Sequence, residues 1–140
     1  MHTDELGYKF KLIDEELSRQ ANQQLAEVGL TLSQIILLQV VDERGGSCAQ
    51  RAIERKLAVS HPTVTGLVKR LIAKGYVESF VSDEDARMKI VRLTPEGTRV
   101  VQRGRGYQAE SERELTRGLA PDELKLLGDL LDKVVDDLRE

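Results

Sequence analysis

A mainly α-helical fold with one small β-hairpin is what this 140-residue chain predicts, and three observations predict it. Apolar residues recur at three- and four-residue steps over most of the length, which is the helical period. Ser or Thr caps and Gly or Pro stops divide those stretches into separate helices. One stretch breaks the pattern: after Gly75, Tyr76–Ser82 and Ile90–Leu93 carry the β-branched and aromatic content of two strands, with Ser82–Lys89 as the tip between them. A capped helix followed at once by such a hairpin is the element order of a winged helix-turn-helix, a fold suited to reading duplex DNA.

The helices follow in order. Leu6, Phe10, Ile13, Leu17, Ala21 and Leu25 form one apolar stripe on a helix ending near Gly29. Thr31 with Gln34 has the form of a capping box and opens a helix through Ile35–Leu38, Val40 and Val41, apolar enough to be buried, which must stop at Gly45 and Gly46. Ser47 and Gln50 repeat the capping pattern and predict a short helix through Ile53 and Leu57. After a tight turn at Ala58 and Val59, Ser60 caps the next helix by accepting from the Thr63 amide, and Pro62 sits in the first turn, where a missing N–H costs nothing. Thr94 and Pro95 read as cap and first residue of a long helix weakened at Gly104 and Gly106, where a bend or frayed turn is expected. Beyond Pro121, Leu124, Leu127, Leu130, Leu131, Val134, Val135 and Leu138 lie at helical spacing on a last helix.

Charge is unevenly placed. Residues 49–92 hold nine Lys or Arg against five Asp or Glu, whereas residues 1–48 hold four against eight and residues 93–140 eight against eleven. A basic centre between acidic arms is the footprint of a polyanion partner in a chain whose overall charge is only −3. No run of about 18 apolar residues is present and the N-terminus has no basic-then-apolar leader, so neither a membrane helix nor a signal peptide is expected and a cytoplasmic location is. One cysteine, Cys48, and two histidines, His2 and His61, exclude an intrachain disulfide and a Cys-rich zinc site. The chain lacks a Ser-His-Asp or Cys-His arrangement and a Gly-rich phosphate loop, so neither an enzyme nor a cofactor is expected.

Within the fourth helix, Val64, Leu67, Val68, Leu71 and Ile72 form the inner face, and turning 100° per residue puts Pro62, Thr63, Thr65, Gly66, Lys69 and Arg70 on the other. Lys69 and Arg70 suit phosphate or guanine O6 and N7; as a bland alternative they are a solvated face. Ser60, Thr63 and Thr65 offer short hydroxyls near a helix N-terminus, though Ser60 is equally explained as a cap. His61 lies towards the apolar edge, so DNA contact and packing stand level. In the hairpin tip Arg87 suits a narrow minor groove, Lys89 a phosphate, and Asp85 a brace for Arg87 or the turn. Cys48 stands near Arg51 and a helix start, which leaves oxidant sensing as an alternative to a small half-buried thiol.

Two segments, VSHPTVTGLVKRLIAKGYV (59–77) and DEDARMKIVRLTPEG (83–97), resemble the MarR family of bacterial transcription regulators. The second is the more specific, with an Asp-x-Arg wing tip followed by Leu-Thr and a glycine; GLAPDELKLLGDLLDKV (118–134) is similar to that family's last helix. Three departures stand out: Ala58 where the family often has glycine, Gly66 where it often has a longer polar side chain, and Ala120 in place of a Ser or Thr cap. The resemblance implies a single domain over 1–140, with a DNA-binding lobe at 31–93 and a helical dimerisation region at 1–30 and 94–140. It also implies a homodimer that represses from a pseudo-palindromic operator in double-stranded DNA until a small-molecule effector intervenes. The alternatives are a winged-helix protein-interaction module and a cysteine-based redox-sensing regulator.

Overall fold

The computed structural model describes residues 4–139, and His2 lies outside the described residues. The elements are α1 (Leu6–Glu27), α2 (Leu32–Glu43), β1 (Ser47–Ala49), α3 (Gln50–Leu57), α4 (His61–Ala73), β2 (Val77–Val81), β3 (Lys89–Leu93), α5 (Pro95–Thr116) and α6 (Pro121–Leu138). This is the mainly helical fold with a hairpin wing that the sequence predicts. Two compact units are present, one running up to Tyr107 and the other from Gln108 onwards.

The first unit is built around α2. Thr31 Oγ1 accepts from the Gln34 amide at 3.2 Å while Gln34 Oε1 accepts from the Thr31 amide at 3.1 Å, so both halves of the capping box form. Leu37, Leu38 and Val41 are then fully buried among Ile53 of α3, Val64, Val68 and Leu71 of α4, Val91 of β3 and Val101 of α5. Each such side chain contributes about 1.5–3 kcal/mol by leaving water. α1 adds only Leu25 to this core.

The sheet is antiparallel in the order β1–β3–β2. Its first strand corrects the expectation for Ser47. Ser47 does not cap α3; Ser47, Cys48 and Ala49 pair with Arg92, Val91 and Ile90, and α3 starts one residue later from Ala49, which has no side-chain cap. The strand forms because β3 has two edges. Pairing the second edge satisfies several backbone groups at once, whereas a cap satisfies one. Gly45 and Gly46, at φ 84° and 95°, make the left-handed turn that brings the chain to that edge.

Three junctions place α4 and the wing. Ser60 Oγ accepts from the Thr63 amide at 3.3 Å, with Pro62 in the first turn as expected. Thr94 Oγ1 accepts from the Gly97 amide at 3.0 Å and donates to the Gly75 carbonyl at 2.6 Å, tying the exit of the wing to the end of α4. Gly97 itself is packed so closely that an added Cβ would lie 2.1 Å from the Tyr76 carbonyl oxygen. The expected frayed turn in α5 does not form: the helix runs unbroken through Gly104 and Gly106. At Gly104 a Cβ would stand 3.3 Å from two Ile35 side-chain carbons, so the glycine lets α5 approach α2 and the packing holds the helix together.

Ala58, in the turn between α3 and α4, is the one non-glycine residue with positive φ among the described residues, at φ 53° and ψ 43°. A Cβ in that region costs roughly 1–2 kcal/mol. Ala58→Gly should therefore raise stability by about 1 kcal/mol, part of the relief being offset by glycine's freedom in the unfolded chain. Denaturant melts of the two proteins check this, and an unchanged or lower midpoint contradicts it.

In the second unit α6 begins at Pro121, and Ala120 offers no side-chain acceptor; Glu123 Oε1 instead accepts from the Ala120 amide at 2.9 Å. No residue of α6 is buried. Among the described residues, no single helix is long and apolar enough to cross a membrane.

Candidate nucleic-acid interface

α4 turns its apolar residues Val64, Leu67, Val68 and Leu71 into the core, which leaves its other face to solvent. Ser60, His61, Pro62, Thr63, Lys69 and Arg70 are exposed, and Thr65 and Gly66 are half-buried. Lys69 and Arg70 are held in no ion pair with a described residue, so both cations are available to a ligand. At Gly66 an added Cβ would make only an ordinary contact, 3.7 Å from an Arg70 guanidinium nitrogen, so the structure shows no steric need for glycine there.

The wing tip is organised by side chains bonding to its own backbone. Ser82 Oγ accepts from the Glu84 and Asp85 amides at 3.2 and 3.4 Å. Asp85 Oδ1 accepts from the Arg87 amide at 3.0 Å and from Arg87 Nε at 3.3 Å. The Arg87 side chain is 91% exposed. An ion pair that open to water contributes about 0–1 kcal/mol, so its effect is to direct the guanidinium outward from the tip. Lys89 stands beside it, exposed at the start of β3. At the stem, Arg92 is occupied: it bonds Glu78 at 2.8 Å and covers the Phe80 ring at 4.8 Å.

Between α3 and this tip lies a groove of about 470 Å³, lined by Arg51, Glu54 and Arg55 of α3, His61 of α4, and Asp85, Arg87 and Lys89 of the wing. Arg51 and Arg55 are exposed, one turn apart, and extend the basic surface beyond the residues picked out from the sequence. Their i, i+4 spacing was the available signal. His61 is not packed in the core. Its Nδ1 lies 2.7 Å from Glu54 Oε2 and 3.4 Å from Gln50 Nε2, with the side chain 70% exposed. The imidazole holds the Glu54 carboxyl below the usual carboxylate range, and the Gln50 amide adds to this while burial opposes it.

Cys48 is half-buried on β1. Burial pushes its thiol up, with Arg44 acting in the opposite direction. A redox-sensing thiolate needs a lowered value, so this environment weighs against oxidant sensing. Among the described residues, no three His, Cys, Asp or Glu side chains converge as metal ligands.

The fold that carries this face and wing is shared with known proteins. The sequence model described as the MarR family matches residues 28–88, from the end of α1 to the wing tip. The multiple antibiotic resistance protein MarR of Escherichia coli is 27% identical over 132 residues, covering 93% of this chain and 90% of its own. A mutant of that protein solved in complex with operator DNA superposes with a TM-score of 0.75 at 26% identity, over 92% of each chain. The chain is thus similar to MarR-family regulators, by the family model over residues 28–88 and by fold over nearly all of its length. Another solved structure, that of MepR, described as a transcription regulator of the Staphylococcus aureus multidrug efflux pump MepA, superposes with a TM-score of 0.82 at 25% identity, over 96% of this chain and 98% of its own. The shared fold extends well beyond the segment matched by the family model, through α5 and α6.

Proposed function

We propose that this protein is a MarR-family DNA-binding transcriptional regulator whose α4 enters the major groove while Arg87 enters the adjacent minor groove. The observation that carries this is the outer face of α4, where Lys69 and Arg70 project with no carboxylate partner among the described residues, next to a wing that holds Arg87 out into solvent. Ser60, Thr63 and Thr65 supply hydroxyls to phosphates or base edges, and His61, Pro62 and Gly66 complete the contacting face. Asp85 acts through Arg87, since a carboxylate would be repelled by phosphate. Residues 31–93 are the DNA-binding lobe. The operator-bound relative supports the partner, and the family is one of regulators rather than enzymes.

The working unit is a homodimer joined through residues 1–30 and 94–140. Leu6 is 70% exposed on α1, with Phe10 and Ile13 also open; Leu138 is 80% exposed on α6, with Leu124, Leu127, Leu130 and Val134 open. Apolar stripes of that length on each helix call for a partner, and the partner proposed is a second copy of this chain. Two reader helices then fall about one DNA turn apart, roughly 34 Å, which matches a pseudo-palindromic operator. By its family, the protein represses from that site and is released by a small-molecule effector. Selection of bound fragments from genomic DNA tests the function: a discrete inverted repeat should be enriched, and uniform recovery of fragments would count against it.

Arg87→Ala should weaken operator binding by roughly tenfold, and the salt dependence should become shallower as two wings lose a cation. Thermal stability should change by less than about 0.5 kcal/mol, because the side chain touches only its own turn. Affinities at several salt concentrations beside a thermal melt check this; equal affinity throughout removes the minor-groove role.

A further inference from the structure

Gln50, the first residue of α3, bears on how α4 chooses bases. Its side chain is buried, with 2% of the residue exposed, and its Nε2 donates to Thr65 Oγ1 at 3.0 Å and to Glu54 Oε2 at 3.3 Å. Glu54 decides which end of the amide faces Thr65. An ionised carboxylate can only accept, so it draws the amide nitrogen, and the opposite orientation would set Gln50 Oε1 against a negative oxygen. The structure instead leaves Gln50 Oε1 buried with no hydrogen-bond partner. His61, 2.7 Å from the same Glu54 oxygen, secures the carboxylate from the α4 side.

Thr65 therefore receives a hydrogen bond from inside the protein. A hydroxyl has one proton and two lone pairs, so a single lone pair and the proton are left to face outward. Accepting a bond also polarises the O–H and makes it a better donor. We propose that Gln50 is a specificity-setting residue that biases the Thr65 hydroxyl towards donation. On this account α4 favours a base edge presenting an acceptor in the major groove, namely guanine N7 or O6, adenine N7 or thymine O4, over the amino groups of adenine and cytosine. The proposal rests on α4 being the reader helix. Gln50 itself touches no DNA; it acts through Thr65.

The test is selection of bound sequences from randomised duplexes by the full-length protein and by Gln50→Met, Thr65→Val and the double variant. Methionine keeps the length of glutamine and valine the shape of threonine. Wild type should prefer an acceptor edge at one position of each half-site by about three- to tenfold, the range of a single neutral hydrogen bond. Thr65→Val should lose that preference, Gln50→Met should relax it to below about twofold, and Gln50→Met should change nothing further at that position once Thr65 is valine. Preference kept in full by Gln50→Met overturns the proposal, as does an equal change with and without the Thr65 hydroxyl, which would mark a merely structural role. If Gln50→Met fails to fold, Thr65→Val decides alone, and its retention of the wild-type preference overturns the proposal. A wild-type protein that selects no sequence at all removes the reader helix itself, a different failure.

Discussion

Removing Asp122–Glu140 will abolish dimerisation and operator binding together. The lost segment is nearly all of α6, a helix whose leucines and valines, apart from half-buried Leu131, are open to solvent in the single chain. In the proposed homodimer, burying them between two copies would supply the association energy, at about 25 cal/mol for each Å² of apolar surface covered. One reader helix without its two-fold mate keeps only half the phosphate contacts and loses the fixed half-site spacing, so affinity should fall by a factor of 100 or more, on the order of the square root of the dimer's binding constant. The paired substitution Leu127→Asp with Val134→Asp tests the same surface while leaving the helix in place. It should give a folded monomer, shown by sedimentation with retained helical circular dichroism, and the same loss of binding. A monomer that holds a full operator as tightly as the wild type contradicts the dimeric account.

The second large effect belongs to the reader face. Lys69→Ala with Arg70→Ala should lower operator affinity by about a hundredfold or more, because a dimer loses four cations placed for phosphate or guanine. The slope of log affinity against log salt should become shallower by about 2 to 4, since each phosphate contact contributes roughly 0.9. Stability should hardly move, as both side chains are exposed and in no ion pair with a described residue. Unchanged affinity together with an unchanged slope would show that α4 does not read DNA.

Much of this architecture was legible in the sequence wherever local chemistry decides it. The Thr31 and Gln34 box, Ser60 with Pro62, the Gly75 stop and the Thr94–Pro95 start each depend on residues within one turn of each other, and each sits where its pattern places it. β1 was not legible. A three-residue strand has no periodicity to detect, and Ser47 takes its conformation from pairing with Arg92 across the sheet, a contact 45 positions away. Gly104 was misleading for a related reason: helix propensity marks it as weak, whereas contact with Ile35 of α2 makes it a point of close packing.

The outer face of α4 could be read from its angles alone, because one helix with one buried side fixes the other. The residues of α3 could not. Gln50, Glu54, His61 and Thr65 meet only through the way α3 and α4 pack, and neither helix's own pattern encodes that meeting. Arg51 and Arg55 reach the wing groove by the same packing. Ala58, which the sequence marks as a departure from the family's glycine, does adopt the left-handed conformation, so the turn keeps its shape with a residue that fits it less well.

The measurement that bears most directly on the whole account is a hydroxyl-radical footprint of the full-length protein on a duplex enriched by genomic selection. Two protected half-sites related by a two-fold axis, with centres about one helical turn apart and minor-groove protection flanking them, are what a dimer with α4 readers and Arg87-tipped wings predicts. A single protected patch with no two-fold symmetry, or protection that is the same on every duplex tried, would contradict it.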